Sequence, residues 1–582
     1  MHLDKLSAVY LLLLGLVSTA LSFFSPVYMK HLSDRVNSGH FWSALALFMI
    51  AMTMLLLSAN AVAFLVFWEL MSLSSLALVA SEHKQRRVQQ AGIIYLGATR
   101  IATAFLMAGF LAMHAFSHSW VFSDWGQSAF PIWPSFLILI GLCIKAGIWP
   151  FHIWLPYAHP AAPSPVSALM SGVMIKIALY AVIRILVSQN LASELLGHVA
   201  LALGLVSSLW GVLFALVQQD LKKLLAYSSV ENLGLILMAI GLAIVAKAQG
   251  LPEISLLALS AAILHSFNHG IFKSLLFLSA GAVDCTVHSR DMQQLGGLAR
   301  KMPLTMAAFL TGAFAISALP PLGGFIGKWM LYQGLLRTAW ESSSLAERAL
   351  GLTSVGTLAL VGALALASFA KAFGISFLGN ARSKAVAEHA SETANGMIFA
   401  QIFLSLCALV SGLFAAPAAM QAASVASRAL QFNTRTPALA VISLLDQTLY
   451  ALLLFALIYG VYLAASKRKT YITWECGFGS LSPRCQSSPI SFAQPMARIF
   501  SLILRFKLLV EITGKDRRNF PEHIKVEPQM VSLLESRVYL PTISWIQNLS
   551  RAFAKLQAGS IHLYLLYVCA TLVILVLVGT RL

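Results

Sequence analysis

Charge is what this chain has least of. Of its 582 residues only 11% are charged, and the acidic ones are scarcest, 22 Asp and Glu against 40 Lys and Arg. A soluble domain carries about 25% charged residues, so a water-facing globule is excluded. Cysteine is sparse as well. The six (Cys143, Cys285, Cys407, Cys476, Cys485 and Cys569) form no CxxC pair, so neither a disulfide framework nor a metal cluster follows from them. The sequence has no glycine-rich phosphate loop and no Ser/His/Asp set, and it offers no site for a flavin, an iron–sulfur cluster or a quinone. No cofactor and no catalytic centre of its own are expected. Alternation of polar and apolar residues is also missing. The apolar runs are about 20 residues long, which argues for membrane helices and against a barrel.

What is present is apolar residue, 58% of the chain, with a mean hydropathy of +0.79. The fold expected is an all-α polytopic membrane protein. Fourteen spans are expected, at 6–27, 41–58, 61–80, 91–114, 131–149, 164–187, 197–217, 224–246, 254–283, 304–336, 350–378, 396–418, 438–465 and 560–580. The first run, Leu6 to Phe24, lacks a small-residue cleavage pattern and reads as a retained helix. The net charge of +18 reads as topology rather than as nucleic-acid binding. Basic residues cluster in alternate loops: Lys30 and Arg35; Lys84, Arg86 and Arg87; Lys222 and Lys223; Arg290, Arg300 and Lys301; Arg382 and Lys384. The positive-inside rule puts these loops in the cytoplasm and the N-terminus outside.

Two spans are interrupted. Pro150, Pro156, Pro160, Pro163 and Pro165 follow Lys145, and Pro320, Pro321, Gly323 and Gly324 precede Lys328. Proline removes a backbone donor and clashes with the preceding turn. Inside a membrane such a break is tolerated only where the backbone is buried in protein or lines a wet cavity. A matched pair of broken helices is also the mark of inverted repeats. Residues 466–559 differ, being charged and proline-containing. They read as a cytoplasmic or membrane-surface segment, with Val538 to Leu556 as a candidate amphipathic stretch.

Ionisable residues inside apolar spans are costly and are functional-site hypotheses by default. His265, His269 and Lys273 follow at four-residue spacing, about 400° around a helix, so they share one face. Glu69, Lys145, Lys176 and Lys328 lie deep in other spans. Arg184 and Lys371 sit near span ends and read as ion pairs or snorkelling groups. Arg100 is deeper, without a local motif. A zinc site on His265 and His269 is disfavoured, because Ser-Phe-Asn between them supplies no glutamate base and the cysteines are remote. No metal is expected. Histidine titrates near neutral pH, and a lysine's proton affinity changes as a carboxylate approaches or leaves it. The set therefore suits proton transfer, with Glu69 and Lys145 pairing and separating as the switch.

Several stretches together resemble the antiporter-like proton-translocating subunits of respiratory complex I, Mrp cation/proton antiporters and membrane-bound hydrogenases. They are Leu3-Asp4-Lys5-Leu6-Ser7-Ala8, the Glu69 helix, Lys145 to Pro156, Ala162 to Leu169, Asp220 to Ser229, the His265–Lys273 helix, and Leu319 to Phe325. Val230-Glu231-Asn232-Leu233-Gly234, Phe369 to Gly379, Thr473 to Phe478, Arg484-Cys485-Gln486 and Ser491 to Pro495 resemble the branch of hydrogenase-4 component B and formate hydrogenlyase subunit 3. The resemblance implies an antiporter-like core with inverted repeats and a hydrated axis. On it Glu69 partners the pumping Lys145, Lys176 connects, His265, His269 and Lys273 form the central relay, and Lys328 stands at the exit. Lys328 departs from hydrogenase-type members, which often carry a carboxylate there.

The organisation expected is N-terminal helices over 1–60 with the family's first two helices absent, a translocation core over 61–336, further membrane helices over 337–465, the 466–559 segment, and a last helix over 560–582. The implied function is proton translocation in a redox-driven respiratory or hydrogenase-type complex of a prokaryotic inner membrane. The chain would be a subunit of an oxidoreductase. Partners would be other membrane subunits and cytoplasmic redox subunits of iron–sulfur, hydrogenase-like or quinone-reductase-like type. Two alternatives stand: an Mrp-type Na+/H+ antiporter subunit without a redox partner, and a non-conducting anchor for a cytoplasmic oxidoreductase.

Overall fold

The computed structural model describes residues 3–127, 130–432, 485–513, 522–530 and 534–554, with isolated positions between 455 and 482 and at 566 and 571. Two compact units are present, Met1–Gln494 and Pro495–Leu582.

Among the described residues the first unit is built from helices. In chain order its helices are α1 (Lys5–Lys30), α2 (Ser38–Leu56), α3 (Ala61–Val79), α4 (Arg86–Ser117), the short α5 (Phe122–Trp125), α6 (Trp133–Ala146), α7 (Leu155–Ala161), α8 (Ser164–Leu169), α9 (Ile175–Ala181), α10 (Glu194–Val217), α11 (Leu221–Ala248), α12 (Pro252–Val287), α13 (Pro303–Ile316), α14 (Gly323–Glu341), α15 (Leu345–Phe377), α16 (Lys384–His389), α17 (Asn395–Leu413) and α18 (Ala415–Leu430). Many start where a side chain or a proline serves the unpaired first turn. Asp4, Asn37, Asn60, Ser193 and Asp220 accept backbone N–H bonds as N-caps. Prolines open α12 and α13.

Among the described residues, ten helices are long and apolar enough to cross a membrane, and Trp133–Ala146 and Pro303–Ile316 are shorter apolar helices. The protein is a multi-pass membrane protein. The expected count of fourteen is not reached, for two reasons. The spans at 131–149 and 304–336 are half-helices joined by breaks, α6 with α7 and α13 with α14. The spans at 438–465 and 560–580 lie largely outside the described residues.

Burial orders the helices. Over their most apolar stretches the Ser164–Val187 segment and α11 are fully buried and α12 is 89% buried, whereas in α4, α15 and α17 only a third of that stretch is buried. The outer helices turn Ile93, Ile101, Leu111, Leu352 and Leu406 outward. The polar and ionisable side chains collect inside, as hydrocarbon demands. Helices α10 and α11 approach closely through Gly204, Gly211, Gly234 and Gly241, where an added Cβ would strike the partner's backbone. Small residues are what let membrane helices meet at backbone distance.

Two features were not foreseen. The Ser164–Val187 helix contains two π-helical stretches, Met170–Met174 and Val182–Val187, on either side of the α9 turn that holds Lys176. The second unit contains an antiparallel hairpin, β1 (Phe506–Thr513) with β2 (His523–Met530), the one departure from an all-α fold among the described residues. Val510, Ile512, Ile524 and Val526 supply the β-branched residues that favour strands. A helix, Leu540–Ala554, follows within the stretch read as amphipathic.

Candidate functional site

The first break places Lys145. Helix α6 ends at Ala146, and Gly147 caps it at φ +76°, a left-handed conformation suited to glycine. A cis Trp149–Pro150 bond and the 3-10 turn His152–Trp154 then lead into α7. Lys145 thus occupies the last turn of a half-helix, the end whose free carbonyls favour a cation. Its ammonium is fully enclosed. It donates to Ser72 Oγ at 2.8 Å and Tyr95 Oη at 3.2 Å, and lies 5.2 Å from the Tyr95 ring centre.

Glu69 stands one turn before Ser72 on α3, but its carboxylate is held elsewhere. It pairs with Arg100 of α4 at 2.5 Å and accepts from the Thr103 hydroxyl. The expected Glu69–Lys145 contact is therefore replaced by Glu69–Arg100, with Ser72 and Tyr95 on Lys145. Tyr95 also reaches Ser75 at 2.6 Å and the Met174 sulfur at 3.5 Å, which brings this cluster to the first π-helical stretch.

Lys176 is wholly buried and donates to the Ser171 carbonyl. The Ser171 hydroxyl meets the Ser229 hydroxyl of α11 at 2.8 Å. From there one turn of α11 carries the contacts. Lys273 donates to the Leu225 carbonyl and to Ser228 Oγ, both at 2.6 Å. His265 Nε2 lies 3.1 Å from Asn232 Oδ1. Glu231 lies 3.6 Å from Lys328. Ser228, Ser229, Glu231 and Asn232 thus serve Lys273, the Lys176 side, Lys328 and His265 in turn.

On α12 the His265 and His269 rings are nearly parallel with centres 6.1 Å apart, so the four-residue spacing does put them on one face. Both ring nitrogens of His269 are buried without a hydrogen-bond partner among the described residues. A cavity of about 10 Å³, room for a single water, is lined by His265, Gly327, Lys328 and Leu235. Lys328 also donates to the carbonyl of Ile316, the last residue of α13, at 3.1 Å. Like Lys145, it sits at the carbonyl end of a half-helix. Gly324 permits that break, because a Cβ there would collide with the Ala315 carbonyl.

Further basic groups lie toward the side of the basic loops. Lys222 donates to the Ala162 carbonyl at 3.0 Å, and Arg290 reaches Asp220 at 3.5 Å and the Pro160 carbonyl at 2.7 Å. His159 is enclosed near this cluster and Lys273, and among the described residues neither of its ring nitrogens has a hydrogen-bond partner. Lys371 donates to the Gln218 carbonyl at 2.6 Å and to that of Leu216, capping α10, and Arg184 pairs with Asp4. Among the described residues one group has a metal-ligand composition, Glu194, His198 and Glu347. Its members already serve one another and Gln249: His198 Nε2 lies 2.6 Å from Glu347, and Gln249 donates to Glu194 at 2.9 Å.

Sequence reasoning missed Glu231, using it only as a marker of resemblance. The signal was available: a carboxylate in the middle of the 28-residue apolar helix Leu221–Ala248. It also left Arg100 unassigned, and nothing in the spacing indicated that Glu69 would choose it.

A multi-pass helical bundle with two broken helices and a buried line of ionisable groups defines an antiporter-like membrane subunit. The family model described as NADH:quinone oxidoreductase/Mrp antiporter, transmembrane, matches residues 58–353. The chain is 35% identical to hydrogenase-4 component B of Escherichia coli (strain K12), over 99% of this chain and 88% of that protein. It is 30% identical to formate hydrogenlyase subunit 3 of the same organism, over 87% and 82%. The fold superposes on a chain of the membrane-bound sulfane sulfur reductase, an archaeal respiratory membrane complex. The TM-score is 0.73 at 20% identity, covering 99% of this chain and 89% of that one. The chain belongs to the NADH:quinone oxidoreductase/Mrp antiporter transmembrane family.

Proposed function

We propose that this chain is the proton-translocating arm of a redox-driven complex of hydrogenase or respiratory type in a prokaryotic inner membrane. The observation that supports it most is the buried series Lys145, Lys176, Lys273, His269, His265 and Lys328. It lies in the enclosed centre of the bundle and is bridged by hydroxyls and amides from Ser72 and Tyr95 to Ser228 and Asn232. Burying six such groups costs folding energy that a mere anchor has no reason to spend.

In this reading Glu69 exchanges Arg100 for Lys145. Ser72 lies one turn from Glu69 and already holds the Lys145 ammonium, so a side-chain rotation brings the two together. The changing counter-charge changes the proton affinity of Lys145 and drives a proton toward Lys176 and the relay of α12. Moving one proton against 100 mV requires about 2.3 kcal/mol, within the range of an ion-pair exchange. Redox chemistry belongs to partners, with iron–sulfur and hydrogenase- or quinone-reductase-like subunits bound beside other membrane subunits.

Affinity purification in mild detergent with mass spectrometry tests the coupling. Redox subunits at stoichiometric level are the expected result. Small membrane subunits alone, with sodium-dependent proton exchange that needs no electron donor, would establish the Mrp-type reading instead.

A further inference from the structure

The order of elements around Glu69 recurs around Glu231. Glu69 lies on α3. One long helix, α4, follows, and then the broken pair α6–α7 with Lys145 in the last turn of its first half. Glu231 lies on α11. One long helix, α12, follows, and then the broken pair α13–α14, where Lys328 rests on the last carbonyl residue of the first half. In both sets a carboxylate, an intervening helix and a broken helix bring a lysine to a half-helix carbonyl end.

The two carboxylates differ in how they are held. Glu69 is a quarter exposed and bound by Arg100 and Thr103. The Glu231 side chain is 1% exposed, and among the described residues neither of its oxygens has a hydrogen-bond partner. A buried carboxylate normally collects several N–H or O–H donors. Without them Glu231 is held through its ion pair with Lys328 at 3.6 Å, and no hydroxyl or amide among the described residues fixes the direction of its carboxylate. Two ammonium groups lie within its electrostatic reach, Lys328 and Lys273. Lys273 is already bonded to Ser228, one turn earlier on the same helix. The charges that bear on it are Lys328 from α14 and Lys273 from α12, and Lys328 also lines the one-water cavity that reaches His265.

We propose that Glu231 is the moving counter-charge of a second switch, alternating between Lys328 and Lys273. The proposal rests on the proton-path reading above. Beside Lys328 the carboxylate keeps that ammonium protonated. Turned toward Lys273, it leaves Lys328 uncompensated in a dry interior, and Lys328 releases one proton outward and becomes a neutral amine. On its return the carboxylate draws one proton from Lys273 through His269, His265 and the cavity water to Lys328. Lys273 is then refilled by one proton from the inner side. Glu231 keeps its single negative charge throughout, and one proton enters for each that leaves.

The test uses the intact complex in inside-out membrane vesicles, with proton uptake and redox turnover measured separately. The E231Q variant is expected to assemble and to take up protons roughly tenfold more slowly than wild type, the effect of ~1.4 kcal/mol on the transfer barrier. E231D keeps the charge and is expected to restore part of that loss. Infrared difference spectra should show a carboxylate band, identified by its loss in E231Q, that shifts between resting and turning-over states. K145A is measured alongside. If K145A stops pumping while E231Q pumps as wild type, or if the Glu231 band stays fixed during turnover, the second switch is refuted and the path reading stands. If K145A pumps normally, the path reading falls and the proposal with it. Should E231Q fail to assemble, E231D decides, with the Glu231 band identified by its displacement in E231D: wild-type uptake in E231D with a band that stays fixed during turnover refutes the switch.

Discussion

Lys145 and Glu69 show how far single residues carry the argument. Each was conspicuous as a charge inside an apolar span, and the half-helix end at Gly147 explains how Lys145 is kept there. Their pairing was not legible. The partner of Glu69 is set by how α3 and α4 face each other, which the spacing along one helix does not encode. The Glu69–Arg100 contact leads to a prediction. Arg100→Ala should slow redox-driven proton uptake roughly five- to thirty-fold, the effect of ~1–2 kcal/mol, with redox turnover in detergent unchanged. Uptake at the wild-type rate would mean that Arg100 only decorates Glu69. His269 offers a sharper case, since neither of its ring nitrogens is bonded among the described residues. His269→Phe keeps an aromatic volume and removes both nitrogens. It should reduce uptake by about 10²-fold, within the usual range for a lost proton-transfer group, and stopped-flow fluorescence of a pH dye in vesicles would measure it.

At the scale of elements, the breaks were legible and the π-helical stretches were not. Proline and glycine announce a break in the sequence, because each removes a hydrogen bond or permits a backbone that other residues resist. A π-helical stretch depends on one carbonyl slipping by a residue, and no residue type in Met170–Met174 signals it. The β1–β2 hairpin was missed because its alternating residues sit in a segment read by its charge and proline content. The tight α10–α11 pair makes the third prediction. An added Cβ at Gly211 would strike the backbone of Glu231. Gly211→Leu should therefore push α11 away from α10 and destabilise the bundle by ~1–3 kcal/mol or more. It should also cut uptake, because α11 bears the contacts to Lys273, His265 and Lys328. A thermal melt in detergent reads the first effect and the vesicle assay the second. An unshifted melt would show that the close approach is not needed.

At the scale of the whole molecule, the family and the all-helical membrane class followed from composition and motifs, while the surroundings of the bundle did not. Arg100 lies midway along α4 with its side chain 44% exposed, on a helix of whose most apolar stretch only a third is buried. A guanidinium facing hydrocarbon at that depth is costly. A neighbouring membrane subunit covering this face would relieve the cost, in keeping with relatives that are subunits of membrane assemblies. A photo-crosslinking residue in place of Ile101, which is exposed beside Arg100, should capture a membrane subunit in the intact complex. Capture of lipid alone would place this face against the bilayer.

The central claim is that protons cross through the buried lysine and histidine series when redox chemistry runs in the partners. Its most direct test is proton uptake by inside-out vesicles holding the assembled complex, with Lys145→Ala compared with wild type at equal redox turnover. The account predicts that uptake collapses in the variant while electron transfer continues. Uptake equal to wild type would contradict it.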